Sequence, residues 1–157
     1  MFNWLNFFFP FVYIKNSNML NKKTQVKENN YSTKFACVVV QNTDKQFLLV
    51  YGKKWNCWVF PGGKLEPNET PLAAAKRELF EETNLLVKEK DLEKVGEGIF
   101  WNNWKGYFFQ AKKFVGEPIV RAEEKHVLGE IKWFTAKEIE KINTSEAVKH
   151  FFKNLQA

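Results

Sequence analysis

Cysteine and histidine are scarce in this sequence, with two of each among 157 residues. Cys37 and Cys57 lie in apolar, strand-like surroundings, where a free thiol behaves as a small hydrophobe. Neither has a second Cys or His at zinc-ligand spacing, which argues against a structural zinc site. Reduced thiols in a cytoplasmic protein are the simplest account, with one disulfide as the alternative. His126 and His150 have no evident partners and are assigned no catalytic role. A membrane-spanning stretch is missing too. The opening "MFNWLNFFFPFVYI" is Phe-rich and uncharged up to Lys15, but its 14 residues, broken by Pro10, fall short of the roughly 20 that a spanning helix needs. It has neither the basic start nor the small-residue cleavage site of a secretory signal. The expected reading is a disordered extension, or codons upstream of a true start at Met19. Membrane contact by residues 1–14 is the less favoured reading. No internal repeat is present.

Charge of one sign is not spread over the chain either. The net +6 splits into +4 from residues 15–34, where five lysines face Glu28 alone, and +2 from residues 35–157, with 19 basic and 17 acidic side chains. The globular part is nearly balanced, so no face for duplex DNA is demanded. Apolar content of 45% and aromatic content of 17% are ample for a single core. Residues 1–34 are therefore expected to be a disordered extension and linker, and residues 35–157 one domain.

Within that domain "FACVVVQ" and "QFLLVYG" are β-branched and aromatic runs separated by "NTDK", which predicts a hairpin. "WVF" predicts a strand and "PGG" a tight turn after it. Thr70 as N-cap, Pro71 at the first position and Asn84 as a left-handed cap frame a helix from Pro71 to Thr83. Further strands are expected at 96–101, 105–113 and 130–134, a capping box at Thr135 and Glu138, and an amphipathic helix from Ser145 to Leu155 with Val148, Phe151, Phe152 and Leu155 inward. Strands interleaved with helices predict an α+β fold, a central mixed β-sheet sandwiched between helices.

The helix beginning at Pro71 poses a problem. Leu72, Ala75 and Leu79 form its core stripe, and Glu78, Glu81 and Glu82 fill the arc beside it at about 100° per residue. The pairs Glu78–Glu82 and Glu78–Glu81 repel by a few tenths of a kcal/mol each, and all three oppose the helix dipole near its C-terminal end. No Lys or Arg follows any of them within four residues. Upstream, Gly62 and Gly63 bring a backbone loop to the same strand–loop–helix unit. Carboxylates facing such a loop offer the hard oxygen ligands that magnesium or manganese prefers, and an ion there would cancel the repulsion.

Gly63, five residues, Glu69, seven residues, then "RELFEETNL" from Arg77 to Leu85 resembles the Nudix box, GX5EX7REUXEEXGU with U bulky and aliphatic. The box covers 23 residues, and the strand pattern extends the resemblance over about residues 35–155. One position departs: Asn84 stands where the family has glycine, and asparagine is the next-best left-handed cap. The resemblance implies the Nudix fold and a Mg2+- or Mn2+-dependent hydrolase of nucleoside diphosphate derivatives. It implies that Glu81 and Glu82 are metal ligands together with the carbonyl of Gly62, that Glu78 is a ligand or the base, and that Arg77 orients Glu78. Gly63 and Glu69 would hold the loop. A further acid is expected from Glu123, Glu124 or Glu130.

On the substrate side, Lys53 and Lys64 flank the expected phosphate site. Phe60, beside the glycine loop, is a candidate to stack on a base. The expected substrate is a nucleoside triphosphate, including oxidised purine forms such as 8-oxo-dGTP. ADP-ribose, dinucleoside polyphosphates and RNA 5′ ends are alternatives. A non-catalytic nucleotide sensor ranks lower, because no box carboxylate is missing. The partner is a small nucleotide, and the protein a monomer or homodimer.

Overall fold

A computed structural model describes residues 31–101 and 103–155. The expectations for the Phe-rich opening and for most of the linker fall outside them. Residues 31–34 are described, and Thr33 and Lys34 already belong to the first strand, β1 (Thr33–Val40). β1 is buried along nearly its whole length, and its alternation supplies two cores at once. Ala36, Val38 and Val40 face one core, while Phe35, Cys37 and Val39 face the other. A β-branched run buried on both faces suits an internal strand. β1 lies between β4 (Gly62–Lys64), antiparallel, and β6 (Trp104–Ala111), parallel, with β5 (Leu92–Phe100) outside β6.

β2 (Phe47–Gly52) does not form the expected hairpin with β1. The two meet at one bridge, Gln41 to Phe47, and then diverge. β2 pairs instead with β3 (Cys57–Val59) and β7 (Leu128–Phe134) in a second, antiparallel sheet. The mixed sheet is the expected one, and the smaller sheet packs beside it. The "PGG" stretch is not merely a turn: Gly62 and Gly63 pair with Cys37 and Ala36 as part of β4. β5 begins four residues before the expected Gly96, with a bulge between Lys94 and Gly96.

Helix α1 (Pro71–Thr83) has the anticipated ends. Thr70 Oγ1 accepts the Ala73 N–H at 3.2 Å, and Asn84, at φ 62°, donates its N–H to Phe80 O at 2.8 Å. Ala75 and Leu79 are fully buried, joined by Ala74, whereas Leu72 is only half-buried. The buried stripe is thus rotated slightly toward the C-terminal glutamates. α2 (Ala136–Ile139) has both bonds of the Thr135–Glu138 capping box. α3 (Glu146–Leu155) covers the opposite face of the mixed sheet through Ala147 and Val148, with Phe151 and Phe152 packed against them. Leu155, expected inward, is 52% exposed as the last residue of the helix. Among the described residues no helix is long and apolar enough to cross a membrane.

Candidate active site

α1 packs on β1 and β4, and its last two turns or so carry Arg77, Glu78, Glu81 and Glu82, with Glu82 on Gly62 and Glu78 against Gly63. Arg77 is the centre of the arrangement. Its Nε and Nη2 grip Glu69 in a bidentate pair, both at 2.8 Å. Nη1 donates to Glu78 Oε1 at 2.8 Å and to Glu81 Oε2 at 3.0 Å, and Nη2 also reaches the Lys64 carbonyl at 3.1 Å. All five guanidinium donors are thereby used. The anticipated contact with Glu78 is present. The helix is nevertheless not as unrelieved as the sequence implies, because the counter-charge comes from the residue preceding Glu78 rather than from one following it. This fork holds Glu69 below the usual carboxylate range and raises Arg77 itself. Glu69 Oε2 also accepts the Glu66 N–H at 2.9 Å, which fixes the loop before the helix.

The relief stops short of Glu82. Its side chain is buried, 8% exposed, and its Oε2 accepts the Gly62 N–H at 2.8 Å. Burial pushes its pKa well up, and the charges of Glu78, Glu124 and Glu81 push in the same direction. Glu78 is raised as well: desolvation outweighs the pull of Arg77, with Glu81 and Glu124 adding to it.

The glycines serve this packing directly. A Cβ on Gly62 would come within 2.6 Å of Cys37 Cα, and one on Gly63 would overlap both carboxylate oxygens of Glu78. Each missing side chain is filled by the protein, so these positions are not simply open to a ligand.

Of the three late acids, the structure brings Glu124 to the cluster, since its charge acts on both Glu78 and Glu82. It belongs to the short 3-10 turn Ala122–Glu124 before β7. Glu123 turns toward Arg121 at 3.7 Å and Glu130 pairs with Lys132 at 2.5 Å. The ammonium of Lys53 donates to the Lys125 carbonyl at 2.5 Å, while that of Lys64 rests 4.7 Å from the Trp104 ring centre. Phe60 is not available to a base. It is 4% exposed and, directly after β3, packs edge-on against Phe151 of α3 at 5.3 Å.

Among the described residues no three carboxylate, imidazole or thiolate groups converge as a ready cage. Arg77 holds Glu78 and Glu81, and the Gly62 N–H holds Glu82. The donor chemistry nonetheless fits a hard divalent cation. Glu78 and Glu82 lie beside a glycine loop, and burial together with the charges of Glu81 and Glu124 opposes the ionisation of these two.

A sequence profile of the NUDIX domain matches residues 31–155. An 8-oxo-dGTP diphosphatase from Buchnera aphidicola is 40% identical over 76 residues, 47% of this chain and 61% of that protein. An RNA pyrophosphohydrolase from Rhodopseudomonas palustris is 34% identical over 77 residues, 38% of this chain and 42% of its own length. The chain thus spans less than two thirds of either curated relative. Among solved structures, a MutT protein from Bacillus halodurans superposes with a TM-score of 0.63 at 29% identity, over 80% of this chain and 83% of that one.

Proposed function

The chain belongs to the NUDIX family, and on that footing we propose that it is a pyrophosphohydrolase, adding water across a phosphoanhydride bond of a nucleotide. The expected substrate class is a nucleoside triphosphate, oxidised purines such as 8-oxo-dGTP included, in keeping with the Buchnera relative's name. One observation carries the reading: Glu82 is buried on the Gly62 N–H while Arg77 holds Glu78 and Glu81 beside it, and burial raises both Glu82 and Glu78. A stability argument offers no reason to gather such charge.

In this reading Glu81, Glu82 and the Gly62 carbonyl would hold magnesium or manganese, and Glu78 serves as the base rather than as a ligand. Such an ion, when bound, neutralises phosphate oxygens and lowers the pKa of the attacking water. Glu78 takes the water's proton, and its raised pKa brings it toward the range where a carboxylate can serve as base near neutral pH. Arg77 aims Glu78 through the 2.8 Å bond and is itself clamped by Glu69. Glu124 supplies the late acid. The test is a phosphate-release screen of the purified protein against nucleoside triphosphates, 8-oxo-dGTP, ADP-ribose and dinucleoside polyphosphates, with both ions and with product analysis. Metal-dependent release that Glu82→Gln abolishes is the expected result. No release from any of them would end the proposal.

A further inference from the structure

The segment that delivers Glu124 runs back across the end of α1 and is tied to it step by step. Leu86 and Val115 exchange two backbone hydrogen bonds, both at 2.9 Å. Gly116, at φ 111°, passes so close to the Asn84 carbonyl that a Cβ there would stand 3.1 Å from it. The Ile119 N–H then donates to Thr83 O at 3.0 Å, which satisfies one of the carbonyls a helix leaves unpaired at its C-terminal end. About one turn back along the helix, the Arg121 guanidinium lies over the Phe80 ring, 4.6 Å from its centre. The 3-10 turn Ala122–Glu124 starts at the next residue, and the Glu124 N–H donates to Arg121 O at 3.0 Å. Beyond the turn, the Lys53 ammonium holds Lys125 O at 2.5 Å.

Phe80 fills the position between Leu79 and Glu81 that the box pattern leaves unspecified. Helix stability asks only for a good helix former there. A ring does something more, because its face attracts a guanidinium and so holds the backbone at Arg121, three residues before Glu124. We infer that Phe80 and Arg121 are positioning residues, whose contact sets where the Glu124 carboxylate meets Glu78 and Glu82. Arg77 orients an acid of its own helix; this pair holds an acid that arrives from a distant part of the chain. The inference rests on the pyrophosphohydrolase reading and on Glu124 as its late acid.

Two measurements on the full-length protein test it. Phe80→Leu keeps an apolar helix former and removes the π face, Arg121→Gln removes the cation, and Phe80→Tyr keeps the contact. Amide hydrogen exchange is read first, since it does not depend on turnover. The Ile119 and Glu124 amides should exchange about fivefold faster in Phe80→Leu and Arg121→Gln, the factor a partly exposed cation–π contact is worth. Amides of β1 should be unchanged, and Phe80→Tyr should match wild type. Kinetics follow, on the nucleotide released fastest in the screen, 8-oxo-dGTP on the present reading. Phe80→Leu and Arg121→Gln should each lower kcat about fivefold or more with KM within about twofold. In a Glu124→Gln background Phe80→Leu should cost less than about twofold further, because a misplaced acid matters only while the acid is present.

Loop amides that ignore the substitutions overturn the inference. So does a kcat loss of the same size in both backgrounds, which marks a structural defect. A KM increase confined to Arg121→Gln also overturns it, by putting Arg121 on the substrate's phosphates. A wild type that releases nothing from any nucleotide ends the pyrophosphohydrolase reading and the pair's catalytic role with it. Turnover by wild type that all three variants match ends the pair's role alone.

Discussion

Glu82 Oε2 accepts the backbone N–H of Gly62 at 2.8 Å, across 20 positions of sequence. The bond ties the end of α1 to β4 and leaves a carboxylate buried with one backbone donor. Its pKa is raised by burial first and by Glu78, Glu124 and Glu81 after that. An acid whose folded pKa lies above the unfolded value, about 4.3, contributes most favourably below the unfolded value. That contribution is lost as pH rises through the folded one.

Glu82→Gln should therefore stabilise the protein in the presence of a chelator. The amide oxygen still accepts from Gly62, and no charge is left to desolvate. Thermal melts at pH 8 should show a higher Tm for the variant, by roughly 2–4 °C per kcal/mol recovered, and the gap should narrow toward pH 5. Adding magnesium or manganese should raise the wild-type Tm by linkage, shift the variant far less, and leave its turnover lower by orders of magnitude. A variant that melts below wild type at pH 8 in chelator would show that the Glu82 charge is already compensated.

Local signals on α1 were readable and pairing signals were not. Thr70, Pro71 and Asn84 cap α1 as expected because each acts on backbone within four residues of itself. β1 and β2 mislead for the opposite reason. Their four-residue separation and apolar pattern satisfy a hairpin rule, whereas the partner β1 takes in parallel is β6, about 70 residues on, with nothing local to mark it. In the site, the box spacing put Glu78, Glu81 and Glu82 on one arc. The counter-charge, Arg77, lies upstream of the glutamates, at i to Glu81's i+4, so a search of the residues after each glutamate does not find it. Phe60 stands beside the glycine loop in sequence, but α3, which buries it, follows some 85 residues later. Among Glu123, Glu124 and Glu130 only three-dimensional proximity could choose.

Arg77→Lys should be far from conservative. An ammonium is a point charge that cannot reproduce a bidentate fork, so Glu69, Glu78 and Glu81 cannot all keep their partner. Arg77 retains 23% side-chain exposure, which screens part of the loss. The stability cost should be on the order of 2 kcal/mol, read by urea denaturation. If Glu78 loses its orientation, kcat should fall tenfold or more with KM little changed. Loss of KM alone would move Arg77 from orienting the base to binding substrate.

Asn84 separates cap from chemistry. At φ 62° it holds the left-handed position with its N–H on Phe80 O, and its side chain has no role in the proposed reaction. Asn84→Gly should leave turnover within about twofold and stability unchanged or slightly higher. Asn84→Ala should cost roughly 1–2 kcal/mol and likewise spare turnover in the folded protein. A large activity loss in the glycine variant would give the asparagine side chain a part in the site.

Gly62 and Gly63 are adjacent, yet their alanine variants should fail in different ways. At Gly62 the added methyl meets Cys37 Cα and Cβ at 2.6 Å, and Cys37 belongs to a strand hydrogen-bonded on both edges. Backbone in the middle of a sheet cannot move aside, so Gly62→Ala should cost about 2 kcal/mol or more, and its activity should fall with the folded fraction. At Gly63 the three atoms nearest the methyl all belong to the carboxylate of Glu78, the free end of a side chain. That carboxylate can swing away at small cost to the fold, but it then leaves Arg77 Nη1 and the position proposed for the base. Gly63→Ala should therefore melt within a few degrees of wild type while losing roughly a hundredfold in kcat, the penalty typical of a catalytic group displaced by about 1 Å. Melting curves and turnover measured on the same preparations decide the matter. If the two variants lose stability and activity in the same proportion, Glu78 is packing rather than chemistry.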